Sequence, residues 1–116
     1  MPMSDVASVA IRAALTGLSA RQRVLADNIA NVETPGFLAG RVDFEESLRA
    51  AIEAQQPGDT ELSTRRSLAP LNHNGNNVKL DDEVVGLVEV GLRYQMMTEA
   101  MNSKFGLLRT AISGGR

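Results

Sequence analysis

The side chains able to do chemistry are few and scattered. His73 is the sole histidine, and with no cysteine and no second imidazole in the chain it cannot complete a zinc site. Its Asn- and Gly-rich surroundings make it a solvated loop residue. Adjacent carboxylates occur at Glu45-Glu46 and Asp81-Asp82, a composition that suits acid/base work or a divalent cation. Sequence neighbours on a helix point in different directions, however, so each pair reads as a solvated face or a helix start. Serines and threonines are present without a Gly-x-Ser-x-Gly elbow or a phosphate-cradling glycine loop. No residue is a candidate for catalysis, and none for holding a metal or a cofactor. Met96, Met97 and Met101 carry soft thioethers of the kind that line adaptable grooves, but at helical spacing they read as core and interface filler.

With no chemistry to position, the elements themselves become the subject. The chain has 116 residues, 3% aromatic content and no tryptophan, so its core must be aliphatic and thin, which suits packed helices better than a sandwich of sheets. A net charge of -2 offers no field to attract a phosphate backbone, and nucleic acid is excluded as a partner class. The first residues are apolar enough to suggest a secretory signal, yet Asp5 precedes the apolar run and Arg12 interrupts it, contrary to the charge pattern of such peptides. No window has the ~20 uncharged apolar residues of a membrane span.

The spacing predicts a helix over 4–33, with Ser4 as its N-cap and an end near Val32 imposed by Thr34-Pro35-Gly36. Its apolar row is Ile11, Leu15, Leu18, Leu25, Ile29 and Val32, a heptad stripe whose one polar member is Gln22. A second helix is predicted over 80–113, capped by Asp81 or Asp82 and stopped by Gly114-Gly115. Its row is Leu80, Val84, Leu87, Gly91, Tyr94, Thr98, Met101, Phe105, Leu108 and Ile112. Between them, 34–79 reads as a junction and a loosely ordered insert: a short helix within 43–56, a turn at 56–59 and extended chain within 60–71. Asn74-Gly75 marks a turn, and the polarity of 72–77 places that stretch on a surface or a hairpin tip. The expectation is one mainly α domain over 1–116, its terminal helices packed as an antiparallel coiled-coil hairpin.

Two such helices would leave apolar flank uncovered, including Val9, Met96, Met97 and Leu107, and uncovered flank is a docking surface or a hazard. Gly17, Gly86, Gly91 and Gly106 each cost an isolated helix up to ~1 kcal/mol, which predicts a monomer that gains order on assembly. The stretch from Asn28 to Phe37 adds an elaborate exit from the first helix, with Asn28 and Asn31 flanking its end and Thr34, Pro35, Gly36 and Phe37 imposing a sharp turn with a bulky anchor.

The run from Leu25 to Phe37, Leu-Ala-Asp-Asn-Ile-Ala-Asn-Val-Glu-Thr-Pro-Gly-Phe, resembles the signature of bacterial flagellar axial proteins, the rod, hook and hook-associated subunits. The shortness of the chain, Arg41-Val42-Asp43-Phe44, the run from Asn74 to Asp81, Leu92-Arg93-Tyr94-Gln95 and the closing run from Lys104 to Ile112 narrow the resemblance to the proximal rod subunits. Phe37 stands where tyrosine is common in that family. The resemblance implies a structural subunit that assembles with itself and with other rod proteins into a helical tube carrying torque across the periplasm. It also implies export without a cleaved signal, and contacts with the flagellar type III export gate and the membrane-ring adaptor. A soluble coiled-coil adaptor or chaperone that grips a partner helix is the competing reading.

Overall fold

The computed structural model describes residues 3–114 and shows an elongated hairpin of 68 × 26 × 14 Å. Helix α1 spans Met3–Ala30, strand β1 Gly40–Asp43, helix α2 Glu45–Glu53, a 3-10 turn Pro57–Asp59, strand β2 Ser63–Arg66 and helix α3 Leu80–Gly114. The long helices run antiparallel: Asn28 in the last turn of α1 meets Glu83 in the first turn of α3, and Leu25 lies against Gly86.

The helix ends differ from the sequence expectation in small, explicable ways. α1 already includes Met3, so Ser4 falls inside the helix, and α3 starts at Leu80, so Asp81 and Asp82 lie in its first turn. There, with Glu83, they face the positive end of the helix dipole. α1 stops at Ala30, short of Val32, where the backbone tightens: the Val32 N–H donates to Ile29 rather than Asn28, and the Asn31 carboxamide donates to the Asp27 carbonyl at 2.9 Å. Pro35 stands beyond the helix, in the turn that follows.

The seam between the helices is the larger correction. α1 buries Ala14, Leu18, Leu25 and Asn28, and α3 answers with buried Glu83 and Val90, flanked by Leu87 and Met97. The row on α3 therefore passes through Glu83, Val90 and Met97 rather than Val84, Gly91 and Thr98, one residue away. Leu80, Val84, Tyr94, Phe105 and Leu108, expected on the seam, are 41–54% exposed. A row chosen for apolar residues skips Glu83, and the whole stripe slips round the helix as a result.

The segment between the helices has definite structure. β1 and β2 form an antiparallel ribbon with Gly40 opposite Arg66 and Asp43 opposite Ser63. A ribbon of this size is marginal alone. This one is held by α1, where Gly17 leaves room for the Phe44 ring: a Cβ at that position would come within 2.5 Å of it. Leu18, Leu25, Val42, Phe44 and Val90 make the core where α1, α3 and the insert meet. Pro57 is buried where its turn packs on α1 and α2.

Candidate assembly interface

At one end of the hairpin a set of buried polar groups ties helix, strand and loop together. The Asn28 carboxamide behaves like a residue of a third strand: its Oδ1 accepts the Gly40 N–H at 2.8 Å while its Nδ2 donates to the Gly40 carbonyl at 3.0 Å. Nδ2 also donates to Glu83 Oε2 at 3.0 Å. Glu83, 1% exposed, takes a second partner in Arg41, whose Nη2 donates to Oε1 at 2.9 Å. A buried carboxylate is tolerated only when paired and hydrogen-bonded, and here both oxygens are satisfied.

The loop before α3 completes this end. Asn76, fully buried, donates from Nδ2 to the carbonyls of Asn31 and Thr34, both at 2.8 Å, and so receives the frayed end of α1. Its Oδ1 accepts the Val78 N–H. Asn77 accepts from the Ala39 N–H at 2.7 Å and donates to the Ser67 carbonyl at 2.9 Å. Gly36 and Gly75 both have positive φ, 74° and 78°, and a Cβ on Gly75 would lie 3.6 Å from Gly36, so two turns pack backbone to backbone. No buried side-chain nitrogen or oxygen among the described residues lacks a partner. The expectation that 72–77 lies wholly at the surface is thus corrected: Asn72, His73 and Asn74 are exposed, while Asn76 and Asn77 are core.

Further along α1, Arg21 reaches across to the start of α2. It donates to both Glu45 oxygens and to the Val42 carbonyl, each at 2.6 Å, with its guanidinium 4.9 Å from the Phe44 ring centre. The Arg21 hydrogen bond holds the Glu45 carboxyl down at about 2, against the opposing pull of partial burial.

The outward surfaces are of a different kind. Val85, Val88, Leu92 and Met96, at 59–65% exposure, form one apolar stripe on α3, and Phe105, Leu107 and Leu108 extend the exposed apolar surface towards its end. On α1, Ile11, Leu15 and Ile29 are half-buried. No group of three or more metal-binding side chains gathers among the described residues, and no helix there is long and apolar enough to cross a membrane.

The residues singled out from the sequence therefore divide in three. Leu18 and Leu25 are core, with Leu87 and Met101 half-buried beside the seam. Asn28, Asn31 and Thr34 are brought together with Asn76, while Phe37 is half-buried under the Arg66 guanidinium, 5.4 Å from its ring centre, and Pro35 and Gly36 are exposed. Val84, Tyr94, Phe105 and Leu108 are exposed, Tyr94 at the rim of a groove it shares with Leu15 and Ser19 of α1, and the side chain of Ile112 lies outside the described residues. Sequence reasoning missed Glu83, Asn76 and Asn77 as core groups. The available signal was the conjunction of two asparagines at the end of α1 with a second asparagine cluster ahead of α3.

The family model "Flagella basal body rod protein" matches residues 11–37, the stretch that carries the heptads of α1 and its exit. The flagellar basal body rod protein FlgB of Bacillus subtilis is 30% identical, with 89% of this chain and 90% of the relative aligned. FlgB of Aeromonas hydrophila is 33% identical over 87% of this chain and 88% of its own, and FlgB of Borreliella burgdorferi 33% identical over 76% and 82%.

Proposed function

The chain belongs to the FlgB family of flagellar basal body rod proteins, a structural subunit of the rod, and we propose that it builds that rod by covering the apolar flanks its own fold leaves open. The observation that carries this reading is the contrast on α3, where the inner row is packed and the outer residues Val85, Val88, Leu92 and Met96 are not. Family membership disfavours the coiled-coil adaptor reading, and the role is mechanical rather than enzymatic.

In this reading the docking residues are those of the expected stripes that are not fully buried: half-buried Ile11, Leu15 and Ile29 on α1, and exposed Val84, Tyr94, Phe105 and Leu108 on α3. The whole chain acts as one rod-core unit that joins copies of itself and other rod proteins in a helical tube crossing the periplasm. Subunits pass the type III export gate unfolded and without a cleaved signal, and meet the gate and the membrane-ring adaptor at the base. The glycines in α3 support such a route, because a helix weakened by Gly86, Gly91 and Gly106 is easier to thread.

Phe105→Asp tests this, because Phe105 is 54% exposed and its loss leaves the hairpin core untouched. The expected result is export at the wild-type level, absence from isolated basal bodies and no swimming; normal motility would overturn the reading. Leu25→Asp is a poorer probe, since Leu25 is buried in the seam and a charge there unfolds the subunit itself.

A further inference from the structure

Asn74 is the one asparagine in the chain followed by glycine. That pairing carries a reaction of its own, attack by the Gly75 amide nitrogen on the side-chain carbonyl carbon of Asn74. With no Cβ on the attacking residue, nothing crowds the cyclic imide that forms. The Asn74 side chain is exposed, and its Oδ1 accepts the Asn76 N–H at 3.1 Å, which draws electrons away from the carbon to be attacked.

In the folded subunit the same turn is closed against that reaction. The Gly75 N–H donates to the Asn72 carbonyl at 3.0 Å, and the Asn74 carbonyl accepts the Gly36 N–H at 2.9 Å. The peptide between Asn74 and Gly75 is therefore pinned at both of its polar groups, and turning it towards the side chain breaks the two bonds together. Gly75 packs on Gly36, where a Cβ would lie 3.6 Å from the Gly36 Cα. One residue on, Asn76 is fully buried, with the Asn31 and Thr34 carbonyls at 2.8 Å.

We propose that Asn74-Gly75 is a self-modification site guarded by the native junction: it reacts in the unfolded chain, and its isoaspartate product cannot close the junction again. The Gly75 nitrogen bonds to the Asn74 Cγ, the Cγ–Nδ2 bond breaks, and the Gly75 proton leaves with Nδ2 as ammonia. Water then opens the imide. Addition at the former side-chain carbonyl gives aspartate. Addition at the main-chain carbonyl gives isoaspartate, whose main chain runs on through Cγ and is longer by a methylene. That extra length falls between the Gly36 contact and buried Asn76, where a chain hydrogen-bonded on both sides has no slack. The turn thereby records time spent unfolded and bars an aged chain from regaining the Asn76 clamp. This holds whatever the folded subunit assembles into.

The test keeps the full chain in mildly alkaline buffer, one sample native and one in denaturant. The peptide containing Asn74 should gain about one mass unit and become a substrate for isoaspartyl methyltransferase, about tenfold faster in denaturant. No aspartate in the chain precedes a glycine, so the methyl signal belongs to this site, and Asn74→Gln should remove it. Equal rates in the two samples, or labelling that survives Asn74→Gln, overturn the proposal. A second measurement follows refolding. Isoaspartate chain, separated by chromatography from the unmodified and aspartate forms, should show amide exchange through 31–36 and 72–78 about tenfold faster than wild type. Asn74→Asp adds the charge without the extra methylene and keeps an acceptor for the Asn76 N–H, so it should exchange as wild type. Isoaspartate chain that exchanges as wild type, or Asn74→Asp chain that exchanges as fast as isoaspartate chain, also overturns it.

Discussion

The two ends of the hairpin solve opposite problems. Where α1 leaves and α3 enters, Asn28, Arg41, Glu83, Asn76 and Asn77 satisfy one another and the backbone around them. At the far end Phe105, Leu107 and Leu108 stand 46–72% exposed with no covering layer. The first end fixes register and connection inside a subunit, because hydrogen-bonded groups tolerate no slip. The second leaves non-directional apolar surface, which any neighbour of suitable shape can cover.

That contrast can be broken most severely at Glu83. Glu83→Ala leaves Arg41 and Asn28 facing a void, and removal of one partner from a buried pair costs about 3 kcal/mol or more; denaturant titration should show the midpoint falling accordingly. Asn76→Ala strands the Asn31 and Thr34 carbonyls and the Val78 N–H, a loss of about 2 to 3 kcal/mol, visible as faster amide exchange through the exit turn. Gly17→Ala presses a methyl into the Phe44 ring and should cost about 2 kcal/mol in thermal unfolding, as overpacked cores do. At the other kind of position the sign reverses. Gly91 has open space around it in mid-helix, so Gly91→Ala should stabilise by up to ~1 kcal/mol and raise the helical circular dichroism signal.

The smallest effect is electrostatic. Glu45, with a folded pKa of about 2 against 4.5 unperturbed, contributes stability that is fully present above 4.5 and lost as pH falls towards 2. Glu45→Gln should therefore flatten the stability profile between those pH values and leave its shape above pH 5 unchanged. Glu45 is half-exposed, so the difference will be modest.

Much of this fold was legible in the sequence because apolar spacing and chain breakers act locally. The long helices, the short helix now placed at Glu45–Glu53, the turn at Pro57–Asp59 and extended chain around Ser63–Arg66 all followed from such signals. What escaped was set by partners distant in sequence. Asn76 reads as a loop residue because its partners are the carbonyls of Asn31 and Thr34, and main-chain groups carry no letter in the sequence. Glu83 reads as a helix-start acid because its pairing with Arg41 requires the fold to exist first. The apolar stripes were legible as a set, but which of their residues pack inside the hairpin depended on that one glutamate.

The β1–β2 ribbon has a consequence for crowding. One edge is sealed by the Asn28 and Arg21 side chains, and on the other, β2, all four residues are exposed, Arg65 and Arg66 among them. Charged side chains along a short bare strand discourage fibril growth. Where many copies gather at high local concentration, the ribbon is thereby kept from templating amyloid, and ordered growth is left to the helices.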